Sequence, residues 1–257
     1  MDHQTLTDAL AGLPLGEIRY FETTGSTNDE AMAWFTADPP NLSVIVADEQ
    51  TAGRGRAGRR WVTPRGAALA CSVLLHPDQV VPDALSLVNG LGALAVSEAL
   101  QKMGLASMIK WPNDVLLDGR KVAGILPEAQ WMGEKLRGVV VGMGVNVARE
   151  AVPPAIGVNF PAGCVEDAWG QPVAREELLR EVLTAFIFWL GALGTPRFIQ
   201  TWETRLAFRD ENVRILPPVG APVLGQLLGL TKHGNLRLRV EGREQMVMVG
   251  EIHLRPV

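Results

Sequence analysis

The sequence predicts an α+β domain followed by a small all-β unit, and three observations predict it. Strand-like segments fall in adjacent pairs instead of alternating strictly with helices. Helical periodicity is confined to a few segments that stand apart from those pairs. After about Arg209 only short strand candidates remain, separated by Pro, Gly and Asn turns. Residues 1–208 are therefore expected to form the first domain, and residues 209–257 a small barrel.

The elements follow in order. EIRYFETT reads as a strand, and TNDEAMAWF as a helix with Thr27 and Glu30 in capping-box spacing. SVIVADEQ and ALACSVLLH are strands on either side of an arginine-rich loop. DALSLVNGLGALAVSEALQKM carries long helical periodicity. SMIKWPNDVLL and KVAGILPEAQ read as strands paired across Asp118-Gly119, a strong hairpin signal. GVVVGMGVNV is a further strand, and REELLREVLTAFIFWLGAL an amphipathic helix. NVRIL, GQLLGLT, NLRLRV, EQMVMV and EIHLRP are the strands of the expected barrel.

Composition narrows the function. The chain has 257 residues, 47% of them hydrophobic, enough for a sizeable core. Its formal net charge of -4 speaks against whole-molecule attraction to nucleic acid. The two cysteines, Cys71 and Cys164, stand in no metal-ligand spacing, and the four histidines are scattered. No signal-peptide pattern opens the chain and no apolar run reaches membrane-spanning length, so a soluble cytoplasmic protein is expected.

Against that acidic background, TAGRGRAGRRWVTPRG (51–66) packs five arginines and four glycines into sixteen residues. Glycine permits positive φ and close backbone approach, and arginine offers a planar fork for carboxylate or phosphate. Tethered between two strands, the segment suits a flap that folds onto an anion; the plainer reading is a solvated basic loop. It is not a Walker loop, since GxxxxGK[ST] is absent.

In KWPNDVLLDGRKVAGIL, a two-residue turn at Asp118-Gly119 makes Leu117 face Arg120, Leu116 face Lys121 and Asp114 face Ala123. Asp114 and Lys121 then share a face on diagonal sites. A carboxylate and an ammonium converging there suit chemistry on a polyanion; the plainer reading is a surface ion pair. Ser26, Thr27 and Asn28 place short polar groups at a strand-to-helix junction, with Gln50 at the end of the next strand. They suit a neutral ligand with donors and acceptors, or simple helix capping. In VVVGMGVNV two glycines within a strand signal close approach, with Asn146 projecting beyond them.

These segments together resemble the biotin–protein ligase family: GSTN at 25–28, EQTAGRGRAGRRW at 49–61, KWPNDVLLDGRKVAGIL at 110–126 and GMGVNV at 142–147, in the family's order. The resemblance covers most of the chain. It implies an α+β catalytic domain akin to class II aminoacyl-tRNA synthetases and lipoate ligases, with a mixed β-sheet, followed by an SH3-like barrel. It also implies a two-step reaction: biotin and ATP give biotinyl-AMP and pyrophosphate, and a lysine of a biotin carboxyl carrier domain then takes the biotinyl group.

By the same resemblance, Ser26, Thr27 and Gln50 ring biotin's ureido head, with Asn28 close by. Arg54 and Arg56 contact the carboxyl and phosphate end, Gly53 and Gly55 bring backbone amides near, and Trp61 walls the site. Lys121 binds the acyl–phosphate oxygens, and Asp114 positions magnesium or the acceptor amine. Gly142, Gly144 and Asn146 lie near the nucleotide, while Lys110, Trp111 and Asn113 shape the hairpin. GSTN begins at residue 25, so no N-terminal winged helix and no sequence-specific DNA binding are expected. A homodimer is left open. Three rival readings are a lipoate or octanoate ligase on the same fold, a nucleic-acid module built on the arginine loop, and an inactive biotin-binding relic. The GRGR and KWPND segments, the single tyrosine and the full set Arg54, Arg56, Asp114 and Lys121 argue against them in turn.

Overall fold

Runs of valine, isoleucine and leucine become strands here, and their two-residue period decides what each face of the sheet meets. The coordinates are a computed structural model that describes residues 1–80, 82–154, 160–216, 221–248 and 253–256. In chain order the elements are α1 (His3–Leu10), β1 (Ile18–Phe21), α2 (Thr27–Trp34), β2 (Val44–Ala47), β3 (Ala68–Leu75) and α3 (Val88–Lys102). Next come β4 (Ser107–Lys110), β5 (Asp114–Leu117), β6 (Arg120–Met132), β7 (Lys135–Asn146), α4 (Val165–Trp169), α5 (Arg175–Gly191) and α6 (Pro196–Thr204). β8 (Asn212–Leu216), β9 (Val223–Leu230), β10 (Leu236–Val240), β11 (Arg243–Val247) and β12 (His253–Pro256) close the sequence.

Seven strands form one mixed sheet in the order β1-β2-β3-β7-β6-β5-β4, parallel between β1 and β2 and antiparallel elsewhere. That is the α+β arrangement expected. Both faces are covered, so β3 is buried along its whole length. Leu69, Cys71, Val73 and Leu75 face the main core with α3 and α5, while Leu74 joins α2 and Ile45 on the other side. Cys71 is a small, fully buried core residue, and burial pushes its thiol up to about 12. On β7, Val141, Met143 and Val145 point to that core, which leaves Gly142, Gly144 and Asn146 on the α2 face.

Several local expectations change. Helix α2 begins at N-cap Ser26 and has no capping box: Glu30 instead accepts from the Thr24 hydroxyl at 2.6 Å. The first amide of the helix, on buried Thr27, has no intrahelical acceptor and is satisfied from across the fold, donating to Gln50 Oε1 at 2.8 Å. SMIKWPNDVLL is two strands, β4 and β5, turned back on each other through Trp111–Asn113. The long periodic helix starts at Val88, after a 3₁₀ turn over Pro82–Leu87. Helices α1 and α6 escaped the reading, although Asp2 forms a capping box with Thr5 and Thr195-Pro196 is an N-cap followed by proline.

The C-terminal strands form a second sheet in the order β11-β10-β9-β8-β12. Glu251 and Ile252 of the expected last strand lie outside the described residues. This sheet continues the main core through Leu227, Leu230, Leu236 and Leu238. One buried hydrogen bond fastens it behind the Trp111–Asn113 turn: Trp111 Nε1 donates to Gly234 O at 2.8 Å.

Candidate active site

The α2 face of the sheet opens into a cavity of about 320 Å³, within the size range of small-ligand pockets. The four segments singled out from the sequence converge on it. Its wall includes Ser26, Thr27 and Asn28 from the start of α2, Gln50 after β2, and Arg54, Gly55, Arg56 and Trp61 from the loop. Asp114 and Lys121 come from β5 and β6, and Gly142, Gly144 and Asn146 from β7. Gly53 stands outside the wall: a Cβ there would lie 2.5 Å from the Trp61 carbonyl oxygen.

The arginine-rich loop is a small hairpin. Gly55 N donates to Arg59 O at 2.7 Å and Trp61 N to Gly53 O at 2.9 Å, and the tip turns at Ala57 and Gly58, both with positive φ. The Gly55 amide, expected near a ligand, is therefore spent inside the hairpin. Trp61 lies on the paired glycines Gly124 and Gly144, where added Cβ atoms would come to 3.2 Å and 2.5 Å from its indole. These glycines serve close packing of the ring against the sheet. Gly142 does the same for Asn28, whose Oδ1 occupies the space of the missing Cβ.

Asp114 and Lys121 meet as expected, through a different register. Leu117 pairs Arg120 and Leu116 pairs Lys121, but a bulge then leaves Asp114 opposite Gly124 instead of Ala123. Lys121 Nζ lies 2.6 Å from Asp114 Oδ1, and Lys110 Nζ is 2.9 Å from Oδ2. Lys110, assigned mainly to shaping the turn, is thus the third member of a buried charge cluster. Burial alone would raise the Asp114 pKa; Lys121 and Lys110 outweigh it and hold the carboxyl well below the usual carboxylate range.

Magnesium does not fit Asp114 in this arrangement. Both carboxylate oxygens hold ammonium groups, and the described residues contain no group of three or more His, Cys, Asp or Glu placed to hold a metal ion.

Arg54 was expected at an anionic ligand but is met by internal carboxylates. Its fork donates to both oxygens of Glu128 at 2.9 Å and 2.8 Å, and Nη2 also reaches Asp29 at 2.6 Å. Glu128 and Asp29 were missed. Glu128 follows Gly124 and Leu126 at a spacing of two along β6, which is the signal that could have found it. Arg56 points elsewhere, donating to Asn113 Oδ1 at 3.3 Å, and Asn113 in turn donates to Ile125 O at 2.8 Å.

Gln50 works mainly as a brace: Oε1 takes Thr27 N, and Nε2 donates to Thr63 Oγ1 at 2.9 Å, leaving one amide hydrogen. Asn146 donates to Gly163 O at 3.0 Å. Ser26 caps α2 without a side-chain hydrogen bond, so its hydroxyl faces the cavity uncommitted to the helix. Of the remaining loop arginines, Arg60 donates to Thr51 O at 2.9 Å, and Arg65 to Thr23 Oγ1 at 2.8 Å and Glu22 Oε2 at 3.3 Å.

Among the described residues the cavity is polarised. One end gathers Lys110, Lys121 and Arg56 near the carboxylate of Asp114. The other end sets Arg54 against two carboxylates, beside the uncharged groups of Ser26, Thr27 and Asn28. Such a site suits an elongated ligand with a neutral head and an anionic tail.

Known proteins resemble this chain in sequence and fold. The profile of the biotin/lipoate A/B protein ligase family matches residues 20–146. A biotin–[acetyl-CoA-carboxylase] ligase of Paracoccus denitrificans is 37% identical over 244 residues, spanning 89% of this chain and 97% of that protein. One of Mycobacterium tuberculosis is 34% identical over 266 residues, spanning 99% and 96%. Among solved structures, the biotin protein ligase of Aquifex aeolicus in complex with biotin and ATP superposes with a TM-score of 0.81 at 28% identity, covering 94% of this chain and 99% of that one.

Proposed function

The chain belongs to the biotin–protein ligases of the biotin/lipoate A/B protein ligase family, and from that premise we propose how its site performs the reaction. It is an ATP-dependent ligase that forms biotinyl-AMP and transfers the biotinyl group to a lysine of a biotin carboxyl carrier protein. In the first step a biotin carboxylate oxygen attacks the α-phosphate of ATP, and pyrophosphate leaves with the electron pair of the broken P–O bond. In the second, the lysine amine attacks the acyl carbon, loses a proton and expels AMP.

The observation that carries our assignment of roles is the cavity's polarity. The uncharged ureido ring suits the end with Ser26, Thr27 and Gln50, where the Ser26 hydroxyl and the second Gln50 amide hydrogen stay available and Asn28 backs the wall with its own groups committed. The carboxylate and α-phosphate then fall toward Arg56 and Lys121. Two anions must approach there, and fixed positive charge in a partly dry site stabilises their union more than water does. Asp114 aims the Lys121 ammonium, and its own depressed pKa leaves it a carboxylate throughout the working range. Trp61, flat on Gly124 and Gly144, walls the tail of the ligand from solvent.

Magnesium bound by the triphosphate, an SH3-like form for the C-terminal sheet and a cytoplasmic setting belong to the same proposal. Incubation with biotin, ATP and a carrier domain tests it by mass spectrometry. A biotinyl mass gain on one lysine, with AMP and pyrophosphate released, is expected; a lipoyl gain from lipoate with none from biotin would overturn it.

A further inference from the structure

We propose that Glu128 is a positioning residue for the biotin end of the site, and that Arg54 is the anchor of the loop hairpin instead of a ligand for phosphate. This rests on the biotin-ligase reading for what the end binds, but not for the anchor itself. The Glu128 carboxylate makes three hydrogen bonds to two separate elements. It takes both arms of the Arg54 fork, and its Oε2 also accepts from Asn28 Nδ2 at 2.6 Å. Asn28 is then fixed on every side: Nδ2 also donates to Leu126 O at 3.1 Å, and Oδ1 accepts from Ser72 Oγ at 2.7 Å. Ser72 Oγ lies 2.8 Å from Thr27 Oγ1 as well. One carboxylate on β6 thus sets the orientation of Asn28, through it that of Ser72 and Thr27, and the seat of the hairpin base.

Charge assigns Arg54 the same role. With Glu128 on one side and Asp29 on the other, its guanidinium is already met by two carboxylates. A phosphate arriving there would face net negative charge. A bidentate pair also fixes the plane of the guanidinium, which a point charge would not do. Removing either partner should loosen the hairpin base and the Asn28–Thr27 pair together.

Two variants test this, Glu128→Gln and Arg54→Lys, alone and combined. In limited trypsin digestion of the ligand-free protein, both should speed cleavage at Arg56, Arg59 and Arg60 several-fold while the sheet resists. In biotin-dependent ATP–pyrophosphate exchange, the KM for biotin should rise about tenfold, the size of one lost charge-assisted contact, and more than kcat falls. The double variant should be little worse than either single one, because both break the same contact. If Arg54 were instead a phosphate ligand, Glu128→Gln would free it, lowering the KM for ATP and leaving trypsin cleavage unchanged; that result overturns the proposal. Faster cleavage in variants of a protein that binds no biotin would uphold the anchor and remove the biotin reading. Charge retained with the fork lost makes Arg54→Lys the check against simple misfolding.

Discussion

Asp114 and Lys121 meet at 2.6 Å across a strand pair whose register slips by one residue between them. The bulge lets two side chains on neighbouring strands converge on a third, Lys110, 2.9 Å from the same carboxylate. Removing the carboxylate therefore strands two ammonium groups at close range.

Asp114→Asn should destabilise the protein by about 3 kcal/mol, the scale for breaking a buried ion pair by removing one partner. It should also slow adenylate formation, because Lys121 loses the group that aims it. Denaturant unfolding reads the first effect and a single-turnover reaction with biotin and ATP reads the second. Unchanged values for both would contradict the cluster's role.

The same carboxylate sets a pH dependence. Its pKa is depressed in the folded state, so its contribution is full above the unfolded value of about 4 and is lost as pH falls from there through the lower folded value. The wild type should lose stability over that acid range more steeply than Asp114→Asn, by up to one proton's slope. Paired unfolding curves from pH 5 downward measure it, and parallel curves would count against the ion cluster.

Gly144→Ala should impair the enzyme more than Gly124→Ala. The first Cβ would come to 2.5 Å from Trp61, the second only to 3.2 Å. The tighter overlap forces the indole off the sheet, at a cost of about 1–3 kcal/mol. Biotin KM and thermal unfolding of the two variants should rank in that order.

Trp111→Phe shrinks the buried indole to a phenyl ring and removes the donor to Gly234 O. A buried carbonyl left without its partner costs about 1–3 kcal/mol. Because the bond joins the second sheet to the turn that carries Lys110 and Asp114, the variant should lose stability and activity together. Full activity at reduced stability would show that the two sheets are coupled only through packing.

Much of this was legible in the sequence because period-two patterns survive folding. GMGVNV announced a strand with two open positions and an amide on one face, and that face is where Gly142, Gly144 and Asn146 stand. Asp118-Gly119 announced the turn, which exists with positive φ at both residues. The bulge between Val115 and Leu116 was not legible, since nothing in VLLDGRKV distinguishes a regular register from a slipped one. Partner choice was hidden for the same reason. Arg54 reads as a ligand for an external anion until Glu128, 74 residues away in sequence, is seen beside it. Gln50 reads as a ligand group until the bare amide at the start of α2 is seen to need it. Chemistry set by one strand could be read; chemistry set by a contact between distant elements needed the fold.

The central claim is that this cavity joins biotin to AMP. Pyrophosphate exchange into ATP, run side by side with biotin and with lipoate, tests it most directly. The account predicts exchange with biotin that Lys121→Ala sharply depresses. Exchange with lipoate alone would contradict it.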